Sequence, residues 1–253
     1  SFKNESFWDI NDKISIKYFG DYNYCKNKLH KLLKDSVDKR MISDVPIGTF
    51  LSGGTDSSLI TGLAQEINGS KINTFSIGFK DLKYNESEHA KKVAYSLGTN
   101  HREFIISEKE GLNELEDIID HYDEPFCDSS ALPTMLVSKM AKKYATVCLT
   151  GDGGDELFMG YGSYNWAKRI NNPLISTFKN PISKILNQFS KEKYKKASII
   201  LNYNNNNWKS HIFSQEQNLF TESEINLLLK RTYSNKIIEQ INQLNIKNKN
   251  LNF

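Results

Sequence analysis

The chain has 253 residues, 38% of them hydrophobic and 25% charged, and its 33 Lys+Arg and 30 Asp+Glu leave a formal net charge of +3. This composition excludes disorder along the whole chain and suits one large domain or two modest ones. The positive charge is not clustered as in a dedicated nucleic-acid binder, so no nucleic acid is expected as a partner. No stretch approaches the roughly 18 consecutive apolar residues of a membrane span, and the first residues lack the pattern of a signal peptide. We therefore expect a soluble, cytoplasmic protein without a membrane partner.

The cysteine pattern excludes two further classes. Cys25, Cys127 and Cys148 are odd in number, far apart and without a CxxC pair. Neither a disulfide framework nor a zinc site fits this pattern, so we expect buried, reduced thiols.

The predicted elements begin with an amphipathic helix over residues 22–41. A short apolar run follows over residues 45–51, too brief for a helix, and predicts the first strand, with Pro46 suited to its start. The predicted elements after it are, in chain order, a helix over residues 57–67, a strand over 73–79, a helix over 86–97, a strand over 101–106, helices over 109–121 and 131–144, and a strand over 146–150.

This alternation of strands and helices predicts an α/β fold, with a parallel twisted sheet covered by helices on both faces. In such sheets, ligands bind at the carboxyl ends of the strands. We expect residues 1–170 to form this core. After it the sequence becomes rich in Lys and Asn, and residues 171–253 predict a helical continuation, interrupted by Pro173 and Pro181 and most amphipathic over 222–231 and 235–244. The last residues carry no stop signal, so we expect the natural chain to continue.

The sequence SGGTDSS at residues 52–58 directly follows the first predicted strand and leads into a helix. Gly53 and Gly54 allow a tight turn and a close approach to a ligand, and the helix N-terminus presents unpaired N–H groups to an anion. The P-loop pattern GxxxxGK[ST] is absent, which disfavours cleavage between the β and γ phosphates. The alternative is a tight turn whose Ser or Asp merely caps the helix.

The polar side chains of this loop indicate which anion and which cation it binds. The hydroxyls of Ser52, Ser57 and Ser58 can donate to phosphate oxygens. Asp56 would repel a phosphate unless a cation lay between them, so its position implies Mg²⁺.

A second group of glycines and carboxylates follows the last predicted strand. The sequence TGDGGDELFMGY covers residues 150–161, and its Asp152, Asp155 and Glu156 repel one another unless they are separated, solvated or bridged by a cation. A metal at the mouth of the sheet satisfies this requirement. In the alternative, Asp152 or Asp155 caps the next helix and Glu156 stabilises its first turn through the helix dipole.

The two motifs, together with TFSIGF at residues 74–79, YNESE at 84–88, DEPF at 123–126 and Pro133-Thr134, resemble the synthetase domain of glutamine-hydrolysing asparagine synthetases. The SGGTDSS loop is similar to the pyrophosphate-binding loop of the ATP pyrophosphatase (PP-loop) group. The resemblance is close over residues 22–170 and loose beyond them. It implies an adenine nucleotide alpha hydrolase-like fold.

The resemblance also implies the reaction. ATP would activate the side-chain carboxylate of aspartate as β-aspartyl-AMP with release of pyrophosphate, and ammonia would then form asparagine and AMP. ATP and Mg²⁺ are the implied cofactors, and aspartate and ammonia are the implied partners. The family's glutaminase cysteine has no match here, because the chain begins at Ser1 and Cys25 falls within a predicted helix. Ammonia is therefore expected from a glutaminase domain outside this chain.

The site residues carried over by resemblance fall into four groups. Asp152 is the expected catalytic residue, which helps to take a proton from the attacking ammonia, and Asp56 and Asp155 are the expected Mg²⁺ ligands. The expected nucleotide-binding residues are Leu51, Ser52, Gly53, Gly54, Asp56, Ser57, Ser58, Ile77, Thr150 and Gly151. The expected substrate residues are Asp123, Asp128, Ser129 and Glu156. His101 and His121 are expected to be packing or surface residues. A lysine-bearing segment that the family has downstream finds no match before Phe253, and Lys230-Arg231 has the pattern of a helix surface.

Three alternatives stay open at the level of sequence. The same scaffold serves β-lactam ring closure and other amide-forming adenylations with a different carboxylate. A tRNA-modifying enzyme of the same group would need a basic face, for which residues 191–196 are the candidate, although they also fit a solvated helix surface. A scaffold that binds nucleotide without turnover is the non-enzymatic reading.

Overall fold

The computed structural model describes residues 5, 7–8, 19–80, 87–123, 128, 130–162, 164–165, 172–191, 194–195, 197–198, 201 and 228–229. The chain divides into two compact units, Ser1–Asp152 and Gly153–Phe253. The domain boundary expected near residue 170 stays a prediction.

The first unit is built on a four-stranded sheet of order β3-β2-β1-β4 in which every neighbouring pair is parallel. Its elements, in chain order, are α1 (Tyr22–Met41), β1 (Ile47–Phe50), α2 (Thr55–Asn68), β2 (Asn73–Phe79), α3 (Ser87–Leu97), β3 (Asn100–Ile106), α4 (Glu108–Asn113), α5 (Leu115–His121), α6 (Ala131–Ala141) and β4 (Val147–Leu149). The α/β class and the parallel sheet predicted from the sequence are confirmed.

Helices cover both faces of this sheet. Successive strand residues point to opposite faces, so each strand contributes side chains to both sides. On one face, Leu149 of β4 packs with a cluster that α1 and α2 form around Val37, Leu63 and Ala64. On the other face, Phe75 of β2 packs with Val137, Ala141 and Ala145 from α6 and the turns after it, and Cys148 of β4 joins this second cluster. The sheet therefore has a core on each side, as the sequence predicts.

The apolar face of α1 is narrower than its spacing predicts. Val37 is buried and packs with Leu33 and Met41, whereas Leu29 and Leu32 are 36% and 58% exposed. The bounds of α1 agree with the prediction. Its start is set by Asp21, whose carboxylate accepts a hydrogen bond from Tyr24 N at 2.7 Å.

The helix predicted over residues 109–121 is two helices, α4 and α5, and this prediction is wrong at Glu114. The Glu114 N–H bonds to the carbonyls of Gly111 and Leu112, which tightens the turn and ends α4. Gly111 is buried, and a Cβ there would lie 3.4 Å from Leu132 Cδ2 of α6. A capping box between Ser107 and Glu110 fixes the start of α4.

Two further expectations need correction. The helix predicted to reach residue 144 ends at Ala141, where tight turns return the N–H groups of Tyr144 and Ala145 to the Ala141 carbonyl. Cys25 and Cys148 are free but only half-buried, and Cys127 lies outside the described residues. Burial raises the pKa of the Cys148 thiol to about 11, which keeps it protonated at neutral pH.

The second unit is helical where it is described, with α7 (Gly154–Phe158), α8 (Pro173–Thr177) and α9 (Lys179–Asn187). Asn172 caps α8, and Pro173 occupies a first-turn position that needs no N–H partner. In the predicted helix over residues 222–231 only residues 228–229 are described, and they are helical; the one over 235–244 lies outside the described residues. Among the described helices, none is both long enough and apolar enough to cross a membrane.

Candidate functional site

The loop after β1 begins as a continuation of the sheet. Leu51 N donates to the carbonyl of Phe75 on β2 at 2.8 Å, so the backbone of Leu51 still pairs with the neighbouring strand. The Leu51 side chain is 1% exposed and packs on Ala90 and Ala94 of α3. The loop that follows is therefore held at its base by a buried residue.

Ser52 and Ser57 join the two ends of the loop. Their hydroxyl oxygens are 2.9 Å apart, and Ser52 N donates to Ser57 Oγ at 3.3 Å. Gly54 N donates to Ser52 Oγ at 3.2 Å, and Ser57 Oγ donates to the Gly54 carbonyl at 3.3 Å. These hydroxyls fix a tight turn that is open to solvent at its tip.

Gly53 is required by both its backbone angle and its surroundings. Its backbone angle φ is +85°, which residues with a side chain rarely adopt. A Cβ at this position would lie 2.6 Å from Ala90 N and 2.8 Å from His89 Cβ. The loop is therefore pressed against the first turn of α3. No other residue type fits this position without moving that helix.

The first turn of α2 has N–H groups available for an anion. Gly54 is the N-cap and provides no side-chain cap, and the first helical bond runs from Ser58 N to the Gly54 carbonyl at 3.1 Å. The N–H groups before Ser58 therefore have no partner within the helix. Asp56 lies half-buried in this turn. This arrangement does not support the alternative in which a Ser or Asp side chain is the N-cap of this helix.

Ser58 adds an unsatisfied hydroxyl. Its Oγ is buried and has no hydrogen-bond partner among the described residues. A buried hydroxyl without a partner costs free energy, and a bound ligand can recover it.

The turn after β4 contacts the first turn of α2. A Cβ on Gly151 would lie 2.5 Å from Ser57 N and 2.9 Å from the carbonyl carbon of Asp56. β1 and β4 are neighbouring parallel strands, so the loops after them leave the sheet at the same edge. The structure thus brings the two glycine-rich motifs together, as far as Asp152.

Asp152 is exposed, and its N–H donates to Thr150 Oγ1 at 3.4 Å. Its carboxylate therefore faces solvent beside the joined turns. Ile77 lies on β2, and its half-buried side chain packs against the apolar cluster beneath α6.

The expected substrate residues of the first unit are only partly described. Asp123 and Asp128 are exposed, and Ser129 lies outside the described residues. The Asp128 carboxylate accepts hydrogen bonds from Ser130 N and Ser130 Oγ, both at 2.8 Å, which forms a turn before α6. A role for these three residues in an aspartate pocket stays a prediction.

In the second unit, the remaining carboxylates of the motif lie on α7. Gly153, with φ +92°, is the N-cap of this short helix and no side chain caps it, which does not support the capping alternative for Asp155. The Asp155 carboxylate lies against the Cα of Gly160, where a Cβ would be 2.8 Å from Asp155 Cγ. A larger residue at position 160 would have to displace the Asp155 carboxylate from this place.

Glu156 has a partner that sequence reasoning does not identify. Tyr161 Oη donates to its carboxylate at 2.6 Å. This bond lowers the pKa of Glu156 and raises the pKa of Tyr161 to about 12. The only signal in the sequence is a tyrosine five residues after a glutamate, which is too common to indicate a contact.

These residues fit Mg²⁺ that arrives with a nucleotide better than a resident metal. The described residues contain no group of three or more His, Cys, Asp or Glu side chains that could hold a metal ion. Mg²⁺ in nucleotide enzymes needs only one or two carboxylates, because phosphates and water complete its coordination. Asp56, beside uncapped N–H groups, suits that arrangement.

Comparisons with known proteins identify similar sequences. A profile of the family described as asparagine synthase matches residues 28–240. The chain is similar to asparagine synthetase [glutamine-hydrolyzing] 1 of Bacillus subtilis, with 48% identity over 130 residues, which are 51% of this chain and 20% of that protein. It is also similar to a putative asparagine synthetase of Methanocaldococcus jannaschii, with 45% identity over 164 residues, 61% of this chain and 30% of that protein. The matched region is thus less than a third of the length of either relative.

Among solved structures, an NH3-dependent NAD synthetase from Campylobacter jejuni has 16% sequence identity and a TM-score of 0.40. The similarity covers 84% of this chain and 95% of that one.

Proposed function

The chain belongs to the asparagine synthase family, and we propose from this premise that it carries the synthetase reaction of an ATP-dependent asparagine synthetase. One observation supports this most strongly. The close approach of Gly151 to Ser57 and Asp56 joins the two motifs into one edge of the sheet. Parallel α/β sheets bind their ligands at this edge.

The SGGTDSS loop is proposed to hold the triphosphate of ATP. The uncapped N–H groups in the first turn of α2 and its positive dipole end favour an anion. The hydroxyls of Ser52, Ser57 and Ser58 supply further donors, and Gly53 and Gly54 leave room for the phosphates. Asp56 and Asp155 are the proposed Mg²⁺ ligands, and the ion would offset the charge of the phosphates when bound.

The adenosine is proposed to lie along the backbone of the strand ends. Leu51 is buried and its N–H pairs with the Phe75 carbonyl, and Ile77 packs against the cluster beneath α6, so both residues would lie beneath the bound adenosine. Thr150 and Gly151 complete this edge from β4. An edge of backbone groups can recognise the adenine ring by hydrogen bonds.

The proposed reaction has two steps. A side-chain carboxylate oxygen of aspartate attacks the α-phosphorus of ATP, and the bond to pyrophosphate breaks. Ammonia then attacks the activated carbonyl carbon and loses a proton, and AMP leaves. Asp152 is proposed to accept that proton, because its exposed carboxylate lies beside the joined turns.

The proposal also includes a source of ammonia and a pocket for the carboxylate substrate. Several relatives are named as glutamine-hydrolysing, and we propose that a glutaminase domain supplies the ammonia here as well. Asp123, Asp128, Ser129 and Glu156 are the proposed contacts to aspartate. Since Ser130 already engages the Asp128 carboxylate, a related adenylating enzyme with another carboxylate substrate is the second candidate.

An isotope-exchange assay tests this proposal. Labelled pyrophosphate should enter ATP in the presence of Mg²⁺ and aspartate, because adenylation is reversible before ammonia attacks. Omitting aspartate should remove the exchange. Exchange that depends on another carboxylic acid would support the second candidate, and nucleotide binding without exchange under any acid would contradict both.

A further inference from the structure

Two buried threonines join β1 to α2 beneath the SGGTDSS loop. Thr49 Oγ1 and Thr61 Oγ1 are 2.9 Å apart, and both residues are 0% exposed. Thr49 precedes Ser52 by three residues, and Thr61 follows Ser57 by four. The threonine pair therefore lies one helical turn deeper than the loop.

The threonine pair continues the contact between Ser52 and Ser57. Residues four apart lie on the same face of a helix, so Ser57 and Thr61 both face the strand and its loop. We name these two pairs, Ser52–Ser57 and Thr49–Thr61, the hydroxyl seam. It runs from the exposed loop into the core along the boundary between β1 and α2.

A hydroxyl in such a position needs a reason, because valine has the same shape and no polar group to desolvate. The neighbouring contacts of α2 are apolar and involve Leu63, Ala64 and Ile72. Apolar contacts tolerate small shifts of a helix along its axis, whereas a hydrogen bond weakens with distance and angle. The Thr49–Thr61 bond therefore fixes where α2 lies along β1.

We propose that Thr49 and Thr61 are positioning residues for nucleotide binding. They hold the first turn of α2 at the depth where its free N–H groups and Asp56 meet the loop and Gly151. They do not contact the nucleotide themselves. This inference rests on the proposed function, since it assigns the nucleotide to that turn.

The test compares Thr49→Val, Thr61→Val and the double variant with the unchanged chain. Each single variant leaves one hydroxyl buried without its partner and should lower the unfolding midpoint, whereas the double variant should recover most of it. The affinity for Mg·ATP, measured by calorimetry, should stay about three- to tenfold weaker in the double variant, which is the loss of about one hydrogen bond. Thr61→Ser, which keeps the hydroxyl, should bind Mg·ATP as tightly as the unchanged chain.

Thr99→Val is the matched control. Thr99 Oγ1 also lies 2.9 Å from a buried threonine hydroxyl, that of Thr74. Thr99 directly precedes β3, however, which is an outer strand separated from β1 by β2. Its loss should leave the Mg·ATP affinity unchanged. A double Thr49/Thr61 variant that binds Mg·ATP as tightly as the unchanged chain would overturn the proposal.

A second measurement separates this inference from the proposed function. If the unchanged chain binds no Mg·ATP, the proposed function fails, and amide hydrogen exchange decides the positioning role alone. The amides of residues 58–62, which are hydrogen-bonded within α2 from Ser58 onward, should then exchange faster in the double variant than in Thr99→Val. Equal exchange in both would reject the positioning role.

Discussion

At the scale of single residues, the site depends on glycines that permit close backbone contacts. Gly53 and Gly151 bring α3 and the turn after β4 against the loop, at distances where a Cβ would overlap backbone atoms. The sequence predicts that glycines are needed in both turns. It does not predict which backbone each glycine meets, because those contacts join segments about 40 to 100 residues apart.

Gly151→Ala should damage the site directly. The new Cβ would lie 2.5 Å from Ser57 N, so the turn or the start of α2 must shift. We expect loss of most Mg·ATP affinity and a lower unfolding midpoint, by calorimetry and thermal denaturation.

Gly62→Ala, within α2, is the control, because a Cβ there meets only Leu97 Cδ2 of α3, at 3.6 Å. Removing a glycine from a helix interior should raise stability by about 0.5–1 kcal/mol. Nucleotide affinity in Gly151→Ala equal to that of Gly62→Ala would show that the two turns do not form one site.

Asp56 and Asp152 should separate binding from chemistry. Asp56→Asn removes the charge proposed to hold Mg²⁺, and we expect Mg-dependent ATP affinity to fall at least tenfold while the fold is kept. Asp152→Asn should leave ATP affinity and pyrophosphate exchange near normal but slow asparagine formation with added ammonia. Equal losses in both variants would contradict the assigned roles.

At the scale of elements, periodicity predicts the sheet and most helices well. The bounds of α1 and the strand β2 follow from the sequence, because local apolar spacing and turn residues determine them. The break at Glu114 does not, since the apolar spacing of residues 109–121 gives no sign of the turn that the Glu114 N–H makes with the Gly111 and Leu112 carbonyls. Burial of Thr61 in place of the neighbouring Leu59, which is 42% exposed, also escapes prediction, because its reason is a partner on β1.

His101 is a packing residue, as expected, and its surroundings predict how the stability of the chain depends on pH. Its Nδ1 and Nε2 lie 2.9 Å from Thr74 Oγ1 and 3.2 Å from Ser76 Oγ, between β2 and β3. Burial lowers its pKa below the ordinary 6.5, Lys91 lowers it further and Glu103 opposes them. The unfolded chain therefore binds this proton more readily than the folded one.

Stability should consequently fall as the pH drops below about 6.5, where the unfolded state gains a proton first. Urea unfolding at pH 7.5 and 5.5 measures this slope. His101→Gln should make the slope shallower than in the unchanged chain. A slope unaffected by His101→Gln would assign the pH effect to other groups.

At the scale of the whole molecule, the family, the parallel sheet and the joined turns support one nucleotide site at the carboxyl edge of the first unit. The two glycine-rich motifs predict this edge from the sequence, because both directly follow apolar strands. The proposed acceptor pocket is less predictable, since the turn between Asp128 and Ser130 has no distinctive sequence pattern. Substrate choice thus depends on contacts that sequence spacing does not determine.

The most direct measurement is a crystal structure of the chain with Mg²⁺ and α,β-methylene-ATP, which cannot release pyrophosphate. The account predicts the phosphates against the first turn of α2 and Gly151, with the metal bound by Asp56. A nucleotide bound elsewhere, or a metal that does not contact Asp56, would contradict it.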